Sequence, residues 1–176
     1  MNNFIFENKT KVYFGKRCVG EYLPKIAAMH GDKVLFAYGG GSIKKNGVYE
    51  EVIAALEKAG KTIIEFPGIM ENPTYKKVLE GTKLVKEKQV DWILAVGGVM
   101  DCSKAISMAA VSEKDVWDEY WAKKGVMDFE PMPLGVIVTA SGTGSECNGG
   151  AVITNEEVMI KTDRDYPKCN PEFALM

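Results

Sequence analysis

The chain has 176 residues, of which 46% are hydrophobic and 26% charged, and its formal net charge at pH 7 is −2. This is the composition of a globular protein, and the length suits one domain with a real core better than two. The interspersed charges argue against nucleic acid as a main partner, because proteins that bind a phosphate backbone usually carry a concentrated basic face.

The lack of a recognisable targeting signal and the scattered cysteines predict a cytoplasmic protein with no membrane contact. The first residues lack a basic segment followed by a long apolar one, and no run approaches membrane-spanning length. The 4 cysteines are scattered without a Cys-x-x-Cys pair, which favours free thiols over disulfides or a zinc ribbon. The single histidine, His30, is expected at the surface, and one imidazole builds no metal site by itself.

Strands and helices alternate through the first half of the chain. Short runs of aromatic and β-branched residues predict strands, and apolar residues that recur every three or four positions predict helices. The predicted strands are 4–6, 11–15, 34–38 and 62–66, and the predicted helices are 22–28 and 48–59.

The same alternation continues in the second half. A longer helix is predicted to follow, with Asn72 as its N-cap and Pro73 as its first helical residue. The side chains of this helix expected to face the core are Val78, Leu79, Leu84 and Val85. The remaining predicted elements are a strand at 91–96, a helix at 103–110, a strand at 134–138, and a hairpin of strands 151–154 and 158–161.

This order predicts an α/β fold with parallel strands. We expect a Rossmann-like sheet with helices on both faces, plus short N-terminal strands and a C-terminal hairpin. Short connections, and the lack of a repeat or an interdomain linker, indicate one compact unit over residues 1–176.

The segment from Leu134 to Glu146 carries the strongest functional signal. Its apolar start is typical of a strand covered on both faces, and a loop of small hydroxyl and glycine residues follows. Ligands of open α/β sheets bind at the carboxyl ends of strands, where hydroxyl and backbone N–H groups could bond phosphate or ribose oxygens. The hydroxyls are those of Thr139, Ser141, Thr143 and Ser145. The alternative is an ordinary turn, since glycine and serine are also common turn residues.

A second glycine-rich turn, Gly39-Gly40-Gly41-Ser42, comes where many dinucleotide-binding folds place an acid that grips the adenosine ribose. That acid is missing, and glycine N–H groups, Ser42 and Lys44 or Lys45 could receive a 2′-phosphate. The turn therefore favours NADP over NAD. The alternative is a flexible loop, because the pattern is not the G-x-G-x-x-G fingerprint.

A third turn, Gly97-Gly98, joins a strand to a helix whose N-terminus could hold a pyrophosphate. Asp101 is predicted to cap that helix, and Lys104 is a candidate phosphate or structural partner. A single histidine allows no Ser-His-Asp or Cys-His arrangement.

These motifs together resemble the iron-containing alcohol dehydrogenase family, and the branch they are most similar to is that of the NADPH-dependent butanol dehydrogenases. The segments that carry the resemblance are 10–15, 38–45, 71–73, 95–98, 101–104, 139–146 and 150–155. The resemblance implies an N-terminal nucleotide-binding domain, here residues 1–176, with the helical metal-binding domain of the family absent from this chain.

The resemblance also implies cofactor contacts. Gly39, Gly40, Gly41 and Ser42 would surround the adenosine ribose phosphate, and Asn72 would lie near the adenine side. Gly97 and Gly98 would hold pyrophosphate, with Asp101 beside them. Thr139 and Thr143 would contact phosphate or the nicotinamide half, and Lys161 the nicotinamide ribose. No catalytic residue and no metal ligand is expected, since the iron or zinc of the complete enzyme would be held elsewhere.

Two departures from the family pattern stand out. The turn at Gly97-Gly98 is two residues, a Gly-Ser, shorter than the pyrophosphate loop of the family. The sequence also stops before the aspartate and histidines that bind metal in the family.

Two readings of the function follow. One is the cofactor half of an NADP- and metal-dependent alcohol or aldehyde oxidoreductase, inactive alone. The other is a stand-alone nucleotide- or partner-binding module that has lost the chemistry. Association into a homo-oligomer through the N-terminal strands is a further expectation.

Overall fold

The structure, a computed structural model, describes residues 3, 5 and 7–176. The strand predicted at 4–6 lies largely outside these residues. The strands are β1 Lys11–Tyr13, β2 Lys33–Tyr38, β3 Thr62–Phe66, β4 Trp92–Val96, β5 Leu134–Ile137, β6 Gly150–Asn155, β7 Ile160–Asp165 and β8 Phe173–Leu175. The α-helices are α1 Cys18–Ala27, α2 Ser42–Lys45, α3 Val48–Lys58, α4 Tyr75–Lys88 and α5 Met100–Val111. A π-helical turn spans Trp117–Ala122, and 3₁₀ turns span Ser145–Cys147 and Pro167–Cys169.

Six strands form one sheet in the order β1-β8-β5-β4-β2-β3, and every neighbouring pair is parallel. The predicted parallel α/β sheet is therefore confirmed. Strand β8 is not among the predicted elements; it lies between β1 and β5 and joins them into one sheet.

The inner strands β2, β4, β5 and β8 are buried on both faces, as expected of near-continuous apolar strands, while the edge strands β1 and β3 are partly exposed. One face packs against α4 and α5 through side chains such as Leu35, Ile93 and Val136. The other face packs against α1 and α3 through Phe36 and Leu94. Helices cover both faces, as expected.

The predicted hairpin is confirmed as the antiparallel pair β6 and β7. Its second strand begins at Ile160, two residues later than predicted, because the turn between the strands includes Met159 in a left-handed conformation, with φ 56°. The hairpin packs on α5, and the backbone N–H of Thr154 donates to the carbonyl of Pro73 at 3.0 Å.

Several local predictions are wrong. The N-cap of α4 is Thr74, whose hydroxyl accepts from the backbone N–H of Lys77 at 3.2 Å, and not Asn72; the helix begins at Tyr75, so Pro73 is not its first residue. Leu79, expected in the core, is 46% exposed. His30, expected at the surface, has only 12% of its side chain exposed and lies against the rings of Trp92 and Phe173.

No helix in the part of the chain that the structure describes combines the length and apolarity needed to cross a bilayer.

Candidate functional site

The three glycine-bearing turns meet at one edge of the sheet. Strands β5, β4 and β2 are parallel neighbours, so their carboxyl ends reach the same edge. The turn at Gly39–Gly41 follows β2, the turn at Gly97–Gly98 follows β4, and the loop from Thr139 to Glu146 follows β5. This edge is where ligands of open α/β sheets bind.

Two adjoining clefts open along this edge. The larger, of about 350 Å³, lies between the β4 turn and the β5 loop. The smaller, of about 170 Å³, lies between the β4 turn and the β2 turn. Glu71, Gly97 and Gly98 line both, so the clefts share a wall. Of the sequence-predicted site residues, those lining a cleft are Gly39, Gly40, Ser42, Gly97, Gly98, Asp101, Thr139 and Thr143.

The glycines leave open backbone at the clefts. A Cβ atom added at Gly40, Gly41 or Gly98 would meet no other atom within 4 Å. Gly97 has a different role, because its φ of 81° is in the left-handed region that side chains rarely adopt. The lack of side chains at these glycines leaves room for a ligand to approach the backbone.

The turn at Gly97-Gly98 is tight. The backbone N–H of Val99 donates to the carbonyl of Gly97 at 2.9 Å, so one donor near the start of α5 bonds within the turn. Helix α5 begins at Met100, three residues earlier than predicted. The N-cap predicted at Asp101 is wrong, since Val99 occupies the cap position and no side chain caps the helix.

Asp101 instead bonds to residues far along the chain. Its carboxylate accepts from the Ser145 hydroxyl at 3.2 Å and from the backbone N–H of Val152 at 2.9 Å. Lys104, fully buried on the same helix, donates to the Ser145 hydroxyl at 2.9 Å. Helix α5 therefore holds the loop that forms one wall of the larger cleft.

Asn72 and Lys161 lie together beside the clefts. Nζ of Lys161 donates to Oδ1 of Asn72 at 2.5 Å, and Asn72 directly follows Glu71, which lines both clefts. Neither Asn72 nor Lys161 lines a cleft, but their bond joins the hairpin to the residue that follows Glu71. Sequence reasoning did not single out Glu71 as a lining residue, although it belongs to the Glu71-Asn-Pro73 motif.

Aromatic residues and one acid flank the β2 turn. The Glu65 carboxylate accepts hydrogen bonds from the hydroxyls of Tyr38, at 2.5 Å, and Tyr49, at 3.1 Å. Burial, together with the Glu65 bond, raises the pKa of Tyr38. Nζ of Lys44 lies 4.5 Å from the ring centroid of Tyr49, within cation–π range. The turn therefore has a lysine at its side, and the carboxylate of Glu65 is already bonded by two hydroxyls.

A separate cavity of about 240 Å³ opens at the amino end of β5. Its two lysines are already bonded: Nζ of Lys9 donates to the carbonyl of Lys168, and Nζ of Lys168 pairs with Glu130 at 2.9 Å. This cavity is not lined by glycine turns, unlike the two clefts at the opposite edge of the sheet.

Among the described residues, no group of three or more His, Cys, Asp or Glu side chains is placed to hold a metal ion. The iron or zinc implied by the resemblance therefore has no fitting ligand set in this part of the protein.

Comparison with protein families identifies the family of this chain. The model described as "Iron-containing alcohol dehydrogenase" matches residues 9–176. Among curated relatives, the probable NADH-dependent butanol dehydrogenase 1 of Bacillus subtilis is 42% identical over 178 residues, covering 100% of this chain and 45% of the relative. The NADPH-dependent aldehyde reductase YqhD of Escherichia coli is 36% identical over 179 residues, with 100% and 45% covered.

Solved structures agree. The NADH-dependent butanol dehydrogenase A of Thermotoga maritima superposes with a TM-score of 0.90 at 38% identity, over 99% of this chain and 44% of that one. The chain thus spans about 45% of the length of the curated relatives it matches. The named cofactors of these relatives include both NADH and NADPH.

Proposed function

Because the chain belongs to the iron-containing alcohol dehydrogenase family, we propose that residues 1–176 are the dinucleotide-binding domain of an NADP- and metal-dependent alcohol or aldehyde oxidoreductase. The observation that carries the proposal is the convergence of three glycine-bearing turns on two clefts with a common wall. A dinucleotide is long and has several phosphates, so it needs adjoining stretches of open backbone of this kind.

The described residues fit such a cofactor. Gly98 would present open backbone to the pyrophosphate near the start of α5, where the helix dipole favours negative charge. The turn from Gly39 to Ser42, with Lys44 beside it, would receive the adenosine ribose phosphate. Thr139 and Thr143 would donate to phosphate or to the nicotinamide half.

Asn72 and Lys161 would contact neighbouring parts of the cofactor. The resemblance implies an adenine-side role for Asn72 and a nicotinamide-ribose role for Lys161. The 2.5 Å hydrogen bond between them supports placing both residues at the same end of the cofactor. A dinucleotide stretched along the sheet edge has its adenine and its nicotinamide far apart, so the two cannot both lie beside one bonded pair of residues.

When bound, the nicotinamide supplies hydride, so the reaction of the complete enzyme would be reversible hydride transfer between an alcohol or aldehyde and the cofactor. The part of this chain is to bind and orient the carrier. With no metal-binding cluster among the described residues, the metal of the complete enzyme would come from outside them. We expect the 176-residue chain alone to bind cofactor without turning over alcohol.

The second candidate is a nucleotide- or partner-binding module without dehydrogenase chemistry, and the tight Gly97-Gly98 turn favours it. Two donors to a charged phosphate contribute about 1.5 to 3 kcal/mol each, so the missing Gly-Ser could weaken binding by about a hundredfold or more. Inserting Gly-Ser after Gly98 tests this: a large gain in NADPH affinity would mean that the short turn limits binding.

Titration of the purified chain with NADPH and with NADH by calorimetry tests the main proposal. Micromolar binding of NADPH, with NADH much weaker, is the expected result. Binding of neither, by the native chain and by the chain with Gly-Ser inserted, would overturn it. The cytoplasmic location and self-association stay predictions, and size-exclusion chromatography over a range of concentrations tests the second.

A further inference from the structure

Lys104 is a buried lysine whose three N–H donors are all used. Its side chain is on α5 and fully buried. Nζ lies 2.9 Å from the Ser145 hydroxyl, 3.2 Å from Oδ1 of Asn148 and 2.8 Å from the carbonyl of Gly150. An ammonium group has three donors and no acceptor, so this set satisfies it completely.

The three acceptors lie in the segment 145–150, which makes further hydrogen bonds to α5 and within itself. Asp101, one turn before Lys104, accepts from the Ser145 hydroxyl and from the backbone N–H of Val152. Ser145 thus accepts from the lysine and donates to the carboxylate. Within the segment, the Asn148 side chain accepts from the N–H of Gly150 and donates to the carbonyl of Gly144.

Packing alone does not account for this arrangement. Removing an ammonium group from water is costly, and an apolar side chain of similar volume would fill the same space at lower cost. Burial lowers the pKa of Lys104 to about 8, while the negative charge of Asp101 opposes that shift. The position of the network is informative, because Asp101 and Ser145 both line the larger cleft.

We infer that Lys104 and Asp101 are positioning residues, which hold the segment from Thr143 to Val152 in the conformation that receives the cofactor; the inference rests on the proposed function. Without these ties, α5 would no longer fix the hydroxyl of Ser145 or the backbone on either side of it. Thr143, two residues before Ser145, would lose its fixed position at the cleft as well.

Because Lys104 is charged, this hydrogen-bonded arrangement is sensitive to pH. The titratable groups that face it are Asp101 on its own helix, Glu146 and Cys147 in the first 3₁₀ turn, Asp165 on β7 and Cys169 in the second 3₁₀ turn. Once deprotonated, Lys104 has two N–H donors for three acceptors. An anionic ligand in the cleft favours the ammonium form, so its binding takes up a proton and its affinity falls as pH rises through about 8.

Hydrogen exchange of the unliganded chain tests the positioning role. In Lys104→Met, the amides from Ser145 to Val152 are expected to exchange about tenfold faster or more, while those of β2 and β4 keep their protection. Ser145→Ala removes the shared hydroxyl but keeps the lysine charge, and is expected to loosen the same segment less. Lys83→Met, at a side chain 75% exposed on α4, is the matched control. Unchanged exchange of the segment in Lys104→Met and Ser145→Ala would overturn the inference.

Titration with NADPH at about pH 7 and about pH 9 supplies the second readout. The native chain and Ser145→Ala are expected to bind more weakly at the higher pH, and Lys104→Met is expected to lose this difference. A pH difference that persists in Lys104→Met would overturn the role of the charge. If neither the native chain nor the chain with Gly-Ser inserted binds NADPH while Lys104→Met still loosens the segment, the proposed function fails and the positioning role stands.

Discussion

The side-chain amide oxygen of Asn72 accepts a hydrogen bond from Nζ of Lys161 across 89 positions of sequence. The bond joins β7 to the loop that precedes α4, beside the Thr154 to Pro73 backbone bond. Together these two bonds fix the hairpin at the glycine-bearing edge of the sheet.

Asn72→Ala is expected to reduce NADPH affinity by about threefold to tenfold, the effect of one ordinary hydrogen bond. Because the Asn72–Lys161 bond is exposed, the free energy of unfolding should fall by less than about 1 kcal/mol. Calorimetric titration and urea unfolding measure the two quantities, with Lys83→Met as control. Unchanged affinity in Asn72→Ala would place Asn72 outside the binding site.

Gly98→Ala is expected to leave stability nearly unchanged but to reduce cofactor affinity by about tenfold or more, because its methyl group meets no protein atom and would project into open cleft. Gly97→Ala is the companion variant, and its left-handed φ of 81° should make it destabilising by about 1 kcal/mol. Thermal unfolding and NADPH titration of both variants separate the effects. Native affinity in a stable Gly98→Ala would contradict a ligand at this turn.

Lys44→Gln is expected to reduce the preference for NADPH over NADH by about tenfold, since a charged hydrogen bond to a 2′-phosphate contributes about 1.5 to 3 kcal/mol. NADH affinity should stay the same, because NADH lacks that phosphate. Parallel titrations with both cofactors measure the ratio. An equal loss for both would mean that Lys44 acts on the shape of the turn instead.

Gly135→Ala should destabilise the fold by about 1 to 3 kcal/mol, the usual cost of overpacking a core. The added Cβ would overlap the ring of Phe173, the residue that pairs with Gly135 on β8. Gly142→Ala is the control, since its Cβ would meet nothing within 4 Å. Urea unfolding of both variants should show the difference, and equal stabilities would mean that Phe173 is free to move aside.

Glu172→Gln should reveal a pH-dependent contribution from the His30 pair. The 3.1 Å hydrogen bond raises the pKa of His30 and lowers that of Glu172. The histidine contribution is complete below its ordinary pKa of 6.5 and is lost as pH rises through the raised value. The glutamate contribution is present above its ordinary 4.5 and is lost as pH falls through the lowered value. The pair therefore stabilises the folded protein most between pH 4.5 and pH 6.5.

The glutamate side chain is 52% exposed, so the loss in Glu172→Gln should stay below about 1 kcal/mol. Urea unfolding at about pH 5.5 and about pH 8.5 measures it, and the loss should be larger at the lower pH. Glu87→Gln, which breaks an exposed pair with Lys83, should show no such difference.

The alternation of elements and the three glycine turns could be predicted because strand and helix periodicities and turn residues are local signals. Hydrogen-bond partners that are distant in sequence could not be predicted in this way. Asp101 stands where a helix cap is common, and its bonds to Ser145 and Val152 depend on residues 44 and 51 positions away. Asn72 satisfies a capping pattern, but its side chain is bonded to Lys161, and Thr74 caps the helix instead.

Strand β8 was missed for a related reason. Three residues, Phe173 to Leu175, are too few to show periodicity, and their strand identity comes from partners on both sides. The preceding 3₁₀ turn and proline conceal it further.

The location of β8 has a consequence for folding during synthesis. β1, which leaves the ribosome before the other described strands, has β8 as its only partner in the described sheet. A nascent chain that has emerged only as far as β7 therefore has a vacant slot beside β5 and an unpaired β1. Such late closure between distant segments slows folding, and during the delay the open edge of β5 is a place where chaperones or other nascent chains can bind.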